Sequence, residues 1–280
     1  MKQRLTLFGI RTAFRTVGRV APAQAAMWAE EVFCRPPRAR VRPSEQEFLT
    51  TGKPFELPIS TGTLAAWEWG AGPTVLLVHG WGSRAARFRV LAPLLVDAGF
   101  RVVAYDGPAH GRSPGKRTSL PEYSAALVEV ASLLGALHAA VGHSLGGAAI
   151  AVALHRGLRL ERAALIAPFG APPEFIDRFA KLIALPRPAQ ERLVANLEKR
   201  LGLRFQDLHI ADLARTLHTP ALVIHDRNDE DIPLKEGRAI ATAWPGSEFV
   251  ETEGLGHHAI MRDAGVARRI VRFVAGRSEV

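Results

Sequence analysis

Cysteine is nearly absent: Cys34 is the only one in 280 residues. A disulfide framework and a thiolate zinc site are therefore both excluded. Lysine is scarce too, with six against 30 arginines; a GC-rich genome produces that bias, so a sequence pI of 10.5 is weak evidence for nucleic acid. No apolar run approaches the roughly 18 residues of a membrane-spanning helix. Nothing repeats at a fixed period, which removes solenoids. No Gly-x-Gly-x-x-Gly follows the first parallel strand, and no His-x-x-x-His pair stands ready to anchor a metal. What remains is 48% apolar and 22% charged, the profile of a globular chain with a large core.

The formal net charge of +9 is lopsided. Residues 1–43 hold nine basic side chains against Glu30 and Glu31, so the rest of the chain is almost neutral. Any electrostatic partner belongs to this arm. Between Arg4 and Arg11 stand six residues, fewer than the roughly 7–15 apolar residues of a secretory signal. Arg11, Arg15 and Arg19 recur every four residues, while Ile10, Phe14, Val17 and Ala21 form an apolar stripe. This is a basic amphipathic helix with two placements open to it: on the protein's own body, or on anionic lipid. The expected location is cytoplasmic, with residues 4–20 making a peripheral contact at the inner membrane face in the second case. Without a recognition motif or interleaved aromatics, no nucleic-acid partner is expected.

From residue 55 onward, apolar strand runs alternate with helical stretches. Phe55–Ser60 and Thr63–Trp69 read as a hairpin; Thr74–Val78, Phe100–Tyr105, Ala139–His143, Arg162–Ile166, Ala221–His225 and Glu248–Thr252 read as strands. Helices are expected over 84–98, 120–137, 145–158, 234–243 and 259–274. The fold class is α/β, with a mostly parallel central sheet covered by helices on both faces. About 47 residues, 169–215, break the rhythm with amphipathic helical patterns and no strand run. The expected organisation is an arm and Pro/Arg linker over 1–54, a core of 55–168 and 216–280, and a helical cap over 169–215. Phe169, Phe175 and Phe179 are candidates to line a pocket.

Gly142-His-Ser144-Leu-Gly146 falls where a strand gives way to a helix. A serine there occupies a tight turn with its hydroxyl projecting beyond the sheet. It needs a base, and the base needs an orienting acid. His257 and His258 follow the last strand in Gly-Leu-Gly-His-His, and Asp226, Asp229 and Asp231 follow the strand before it. Parallel sheets place their sites at this carboxyl edge.

His79-Gly80-Trp81-Gly82, then Asp106-Gly-Pro-Ala-His110-Gly-Arg-Ser113, the turn at Ser144 and the late acid and histidine loops occur in an order that resembles the α/β-hydrolase superfamily over residues 55–280. The resemblance implies Ser144 as nucleophile, His257 as base and Asp229 as acid, the last from Asp229-Glu-Asp-Ile-Pro233, with Asp226 and Asp231 as alternatives. It implies an oxyanion hole from the backbone N–H groups of Trp81 and Leu145. His79, Asp106 and His110 are implied scaffolding, and Ala109 departs from the glycine common there. The implied activity is hydrolysis of small-molecule carboxylic esters of apolar acyl groups through an acyl-enzyme, with no metal or organic cofactor. Thioester hydrolysis, C–C hydrolysis, perhydrolysis, acyl transfer and a non-catalytic binding role share this framework.

Overall fold

The computed structural model describes residues 2–38 and 40–277, and only the backbone of residues 2–6. In chain order the elements are α1 (Lys2–Val20), α2 (Pro22–Phe33), α3 (Pro43–Thr50), β1 (Lys53–Ile59), β2 (Gly62–Trp69), β3 (Thr74–Val78), α4 (Leu91–Asp97), β4 (Arg101–Tyr105), α5 (Leu120–Leu134), β5 (Leu137–His143), α6 (Leu145–His155) and β6 (Arg162–Ile166). There follow α7 (Pro172–Ile183), α8 (Arg187–Leu201), α9 (Ile210–Ala214), β7 (Ala221–Asp226), α10 (Leu234–Ala243), β8 (Glu248–Thr252), α11 (Gly256–Ala259) and α12 (Ala264–Val274). Short 3₁₀ turns occupy Ala85–Phe88, Phe205–Leu208 and Ile260–Arg262. The chain divides into two compact units: Met1–Arg35 with Ala171–His209, and Pro36–Gly170 with Ile210–Val280.

The larger unit is built on one eight-stranded sheet of order β1-β2-β4-β3-β5-β6-β7-β8. β1 and β2 form the antiparallel hairpin, β2 runs antiparallel to β4, and the remaining pairs are parallel. All five residues of β3 are buried, as expected of a strand covered on both faces. Val75 and Leu77 face a core shared with Leu91 and Leu95 of α4 and Ile270 and Phe273 of α12. Helices α5, α6, α9 and α10 pack together with the opposite face.

Several boundaries differ from those read in the sequence. The helix expected over 120–137 ends at Leu134 and yields Leu137 to β5, and the one over 145–158 ends at His155. Three further differences each come through one residue type. β1 begins at Lys53 and contains Pro54 and Pro58; as an edge strand paired only with β2, it tolerates missing N–H donors. The stretch 84–98 splits into a 3₁₀ turn and α4, because Pro93 is acceptable only in a first helical turn. The stretch 259–274 breaks at Asp263, whose carboxylate caps α12 by accepting from Val266 N at 2.8 Å. The Pro/Arg segment also ends in an unexpected helix, α3, where Glu45 accepts from Arg42 N at 3.0 Å. The ends of the insertion meet: Ile210 N donates to Gly170 O at 2.8 Å, and Gly170 N donates to Glu236 Oε2 at 2.7 Å.

The smaller unit joins the N-terminal helices to the inserted ones. α2 contributes fully buried Ala25, Ala26 and Ala29, small enough to let α8 approach with Ala189, Leu193 and Leu197. Phe14 of α1 is buried, and a Cβ on Gly18 would collide with Pro186. Arg11 donates to the carbonyls of Lys181 (2.9 Å) and Leu182 (2.7 Å), a cation on the orphan carbonyls at the end of α7. Of the two placements open to the basic helix, this one is on protein, but on the inserted helices. Phe175 and Phe179 turn toward Phe33, with ring centroids 5.7 and 5.1 Å apart.

Candidate active site

The sequence forces a sharp corner between β5 and α6. Ser144 adopts φ 53° and ψ −117°, a conformation costly for any residue with a Cβ and one that clusters at functional sites. Only glycine fits beside it: a Cβ on Gly146 would strike the Val78 carbonyl, and one on Gly142 would meet the Gly146 backbone at 2.6 Å. Ser144 is held from below, with its N–H donating to Ile166 O at 2.9 Å.

The acid loop after β7 places three carboxylates in three different environments. Asp226, at the strand end, accepts from Asn228 N, Thr252 Oγ1 and Leu255 N, tying the acid loop to the histidine loop. Asp231 faces His258 at 3.4 Å. Asp229 alone reaches His257, whose Nδ1 lies 2.7 Å from its Oδ2. The other oxygen of Asp229 accepts from Asp231 N (2.9 Å) and Ile232 N (2.8 Å). Burial works to raise the Asp229 pKa, but hydrogen bonds from His225 and His257 and the backbone outweigh it and hold the group well below the usual carboxylate range. Asp229 is thus an anion at neutral pH, aimed at the imidazole.

Ser144 and His257 line one cavity of about 260 Å³, together with Gly80, Trp81, His143, His258, Met261 and Pro37. No hydrogen bond joins Ser144 to His257 here, a looseness common in unliganded sites. The Gly80 backbone lies against the serine, since a Cβ on Gly80 would come within 3.0 Å of the Ser144 Cβ. Neither Trp81 N–H nor Leu145 N–H enters a backbone hydrogen bond among the described residues. His79 secures this loop: Nδ1 donates to Gly80 O (2.8 Å), Nε2 accepts from Gly107 N (2.9 Å), and burial lowers its pKa to about 4. Asp106 accepts from Ala85 N and Arg112 N. Ala109 sits at φ 65°, the conformation that favours the glycine it replaces. Phe169, Phe175 and Phe179 are not among the residues lining the cavity.

The sequence profile of the family described as "Serine aminopeptidase, S33" matches residues 71–221, more than half of the chain. The chain belongs to the α/β-hydrolase superfamily. A non-heme haloperoxidase of Rhodococcus erythropolis is 32% identical to this hydrolase over 241 residues, covering 68% of this chain and 87% of the relative. A pimeloyl-[acyl-carrier protein] methyl ester esterase of Xanthomonas campestris is 28% identical, covering 74% and 96%. An esterase structure from Pyrococcus furiosus superimposes with a TM-score of 0.67 at 19% identity, covering 86% of this chain and 96% of that one.

One histidine of the α/β-hydrolase site escapes sequence reasoning, while a second, His225, reads as structural from its place near the end of a buried strand. His143, the variable residue of the Gly-x-Ser-x-Gly turn, donates from Nε2 to the carbonyl of His257 at 2.9 Å, and the two rings lie 4.7 Å apart. Burial drives its pKa well below the usual imidazole range, and the neighbouring His257 adds to this. Being neutral, it holds the His257 backbone without competing for its proton. His225 donates from Nε2 to Ile232 O at 2.9 Å and lies 3.4 Å from Asp229, bracing the acid loop.

Proposed function

We propose that this α/β-hydrolase is a serine esterase acting on carboxylic esters with apolar acyl groups. The observation that carries the reading is the 2.7 Å contact of Asp229 with His257 in the cavity that Ser144 lines. His257 Nε2 takes the Ser144 hydroxyl proton as Oγ attacks the ester carbonyl, and the N–H groups of Trp81 and Leu145 hold the oxyanion, each such donor worth roughly 3 kcal/mol. The alkoxide leaves with the proton from His257, giving an acyl-serine. Water, deprotonated by the same imidazole, then releases the acid. Asp229 keeps Nδ1 protonated and stabilises the imidazolium. Pro37, Trp81 and Met261 give the cavity apolar walls that suit an apolar acyl group. The test is turnover of 4-nitrophenyl esters from acetate to palmitate. A maximum at intermediate length that disappears in Ser144→Ala is expected, and equal turnover by the variant would refute the reading.

A bifunctional esterase/perhydrolase of Acinetobacter calcoaceticus, 30% identical over 150 residues, supports a second reaction of the same acyl-serine. Hydrogen peroxide in place of water would release a peracid, with the peroxide proton passing to His257. Peracid formation from acetate esters is the readout, and hydrolysis without it would remove this reading. A peripheral membrane contact is proposed for residues 4–20, supported by exposed Leu7, Phe8 and Ile10 near Arg15 and Arg19. Pelleting with anionic vesicles at low salt is expected, and protein left in the supernatant would remove it.

A further inference from the structure

Two cavity side chains have no part in the ester chemistry above: Arg87 and Arg262. Arg87 sits in the 3₁₀ turn Ala85–Phe88, a few residues past the Trp81 loop, and Arg262 ends the turn Ile260–Arg262, five residues past His257. The two turns pack against each other, so the fold brings two guanidinium groups onto the wall of one small cavity. Arg262 acts on Arg87 as a like charge, opposed at Arg87 by Glu45. Burial lowers the Arg87 pKa, Glu45 acts against this, and Arg42, Arg84 and Arg262 lower it further.

Glu45 is already shared. It is buried, its Oε2 accepts from Arg42 N, and it stands 3.8 Å from Arg87 and 4.0 Å from Arg84. Those are ion-pair distances without a hydrogen bond. Among the described residues neither the Arg87 nor the Arg262 guanidinium donates a hydrogen bond, and Arg262 has no ion-pair partner. On the same wall His258 faces Asp231, so that carboxylate is engaged elsewhere. The cavity therefore presents two donor forks beside a nucleophile. A planar guanidinium fork matches the two oxygens of a carboxylate or phosphate.

We propose that Arg87 and Arg262 form an anion subsite, so that the preferred substrates are esters carrying a second, ionised carboxylate or phosphate beyond an apolar acyl segment. The inference names a substrate class for the esterase reading and rests on it. The apolar walls take the segment next to the scissile carbonyl, and the two arginines take its charged end.

The test compares kcat/KM for 4-nitrophenyl butyrate and mono-(4-nitrophenyl) glutarate. The charged ester is expected to be preferred by wild type, the ratio to fall at least tenfold in Arg262→Gln, and Arg262→Lys to recover part of it. Arg262 is exposed, so this variant is the safer of the two for folding; Arg87→Gln is the second. An unchanged ratio in both Gln variants overturns the subsite. If wild type turns over neither ester, the esterase reading fails, and calorimetry still decides the subsite. There the Ser144→Ala protein is titrated with the mono-anilide of glutaric acid, with acetate and with inorganic phosphate. Binding of any of these that weakens at least tenfold on adding Arg262→Gln supports the subsite, and the titration distinguishes carboxylate from phosphate. No binding, or binding indifferent to Arg262, refutes it.

Discussion

Ser144 carries backbone strain as well as the hydroxyl proposed to react, and the two are separable by substitution. Strain of this type costs about 1–3 kcal/mol; Ser144→Gly is expected to raise the melting temperature while abolishing turnover, checked by thermal denaturation beside an ester assay. Asp229→Asn is expected to cut kcat by about 10⁴ with the fold intact, because the amide no longer fixes the imidazole tautomer. Asp226→Asn should act on stability instead, since its oxygens hold Thr252 and Leu255. The sequence left three acids open within six residues because they share a loop and a chemistry. Their difference is where each side chain points once β7 ends at Asp226, which no spacing encodes. The turn at Ser144 and the pair His257-His258 stood out because each follows a strand in a glycine-flanked loop, and the choice of His257 came from the family resemblance. His143 was not, because nothing in a Gly-x-Ser-x-Gly turn says what the intervening ring will face.

Among the elements, the buried parallel strands were readable from unbroken apolar runs such as Thr74–Val78. Helix limits were less so, because proline and a capping aspartate override periodicity at Pro93 and Asp263. The association of α1 and α2 with α7 and α8 was not readable at all. An amphipathic stripe states that a face will be covered and not by what, and the partners lie more than 150 residues apart, as with Arg11 and Lys181. The joint matters for stability. Leu197→Ala removes a fully buried side chain and is expected to cost about 2–5 kcal/mol in that unit, measured by denaturant titration.

For the molecule as a whole, buried histidines set the response to acid. Burial lowers His79 to about 4 and His110 to about 3, with His79 adding to the latter. The unfolded chain therefore takes up protons first, near the ordinary imidazole pKa of roughly 6.5. Stability is full above that value and falls as pH drops from about 6.5 towards 4. Thermal melts between pH 7.5 and 4.5 should show this decline, with a shallower one in His110→Asn; a flat profile for wild type would contradict it. Asp229, depressed by its partners, contributes a further loss that begins as the pH falls through the ordinary carboxylate range and continues below it.

The hydrogen bond between Ile210 and Gly170 gives the larger unit a closed seam at the point where the chain leaves and returns. Residues 171–209 are an excursion from a single doorway, so changing their length alters little of the loop-closure cost and strains no strand. Residues 1–35 belong to the same compact unit as that excursion. Ser144, His257 and Asp229 all belong to the larger unit, so a change in the length of the inserted segment leaves the sheet that carries the proposed triad as it is.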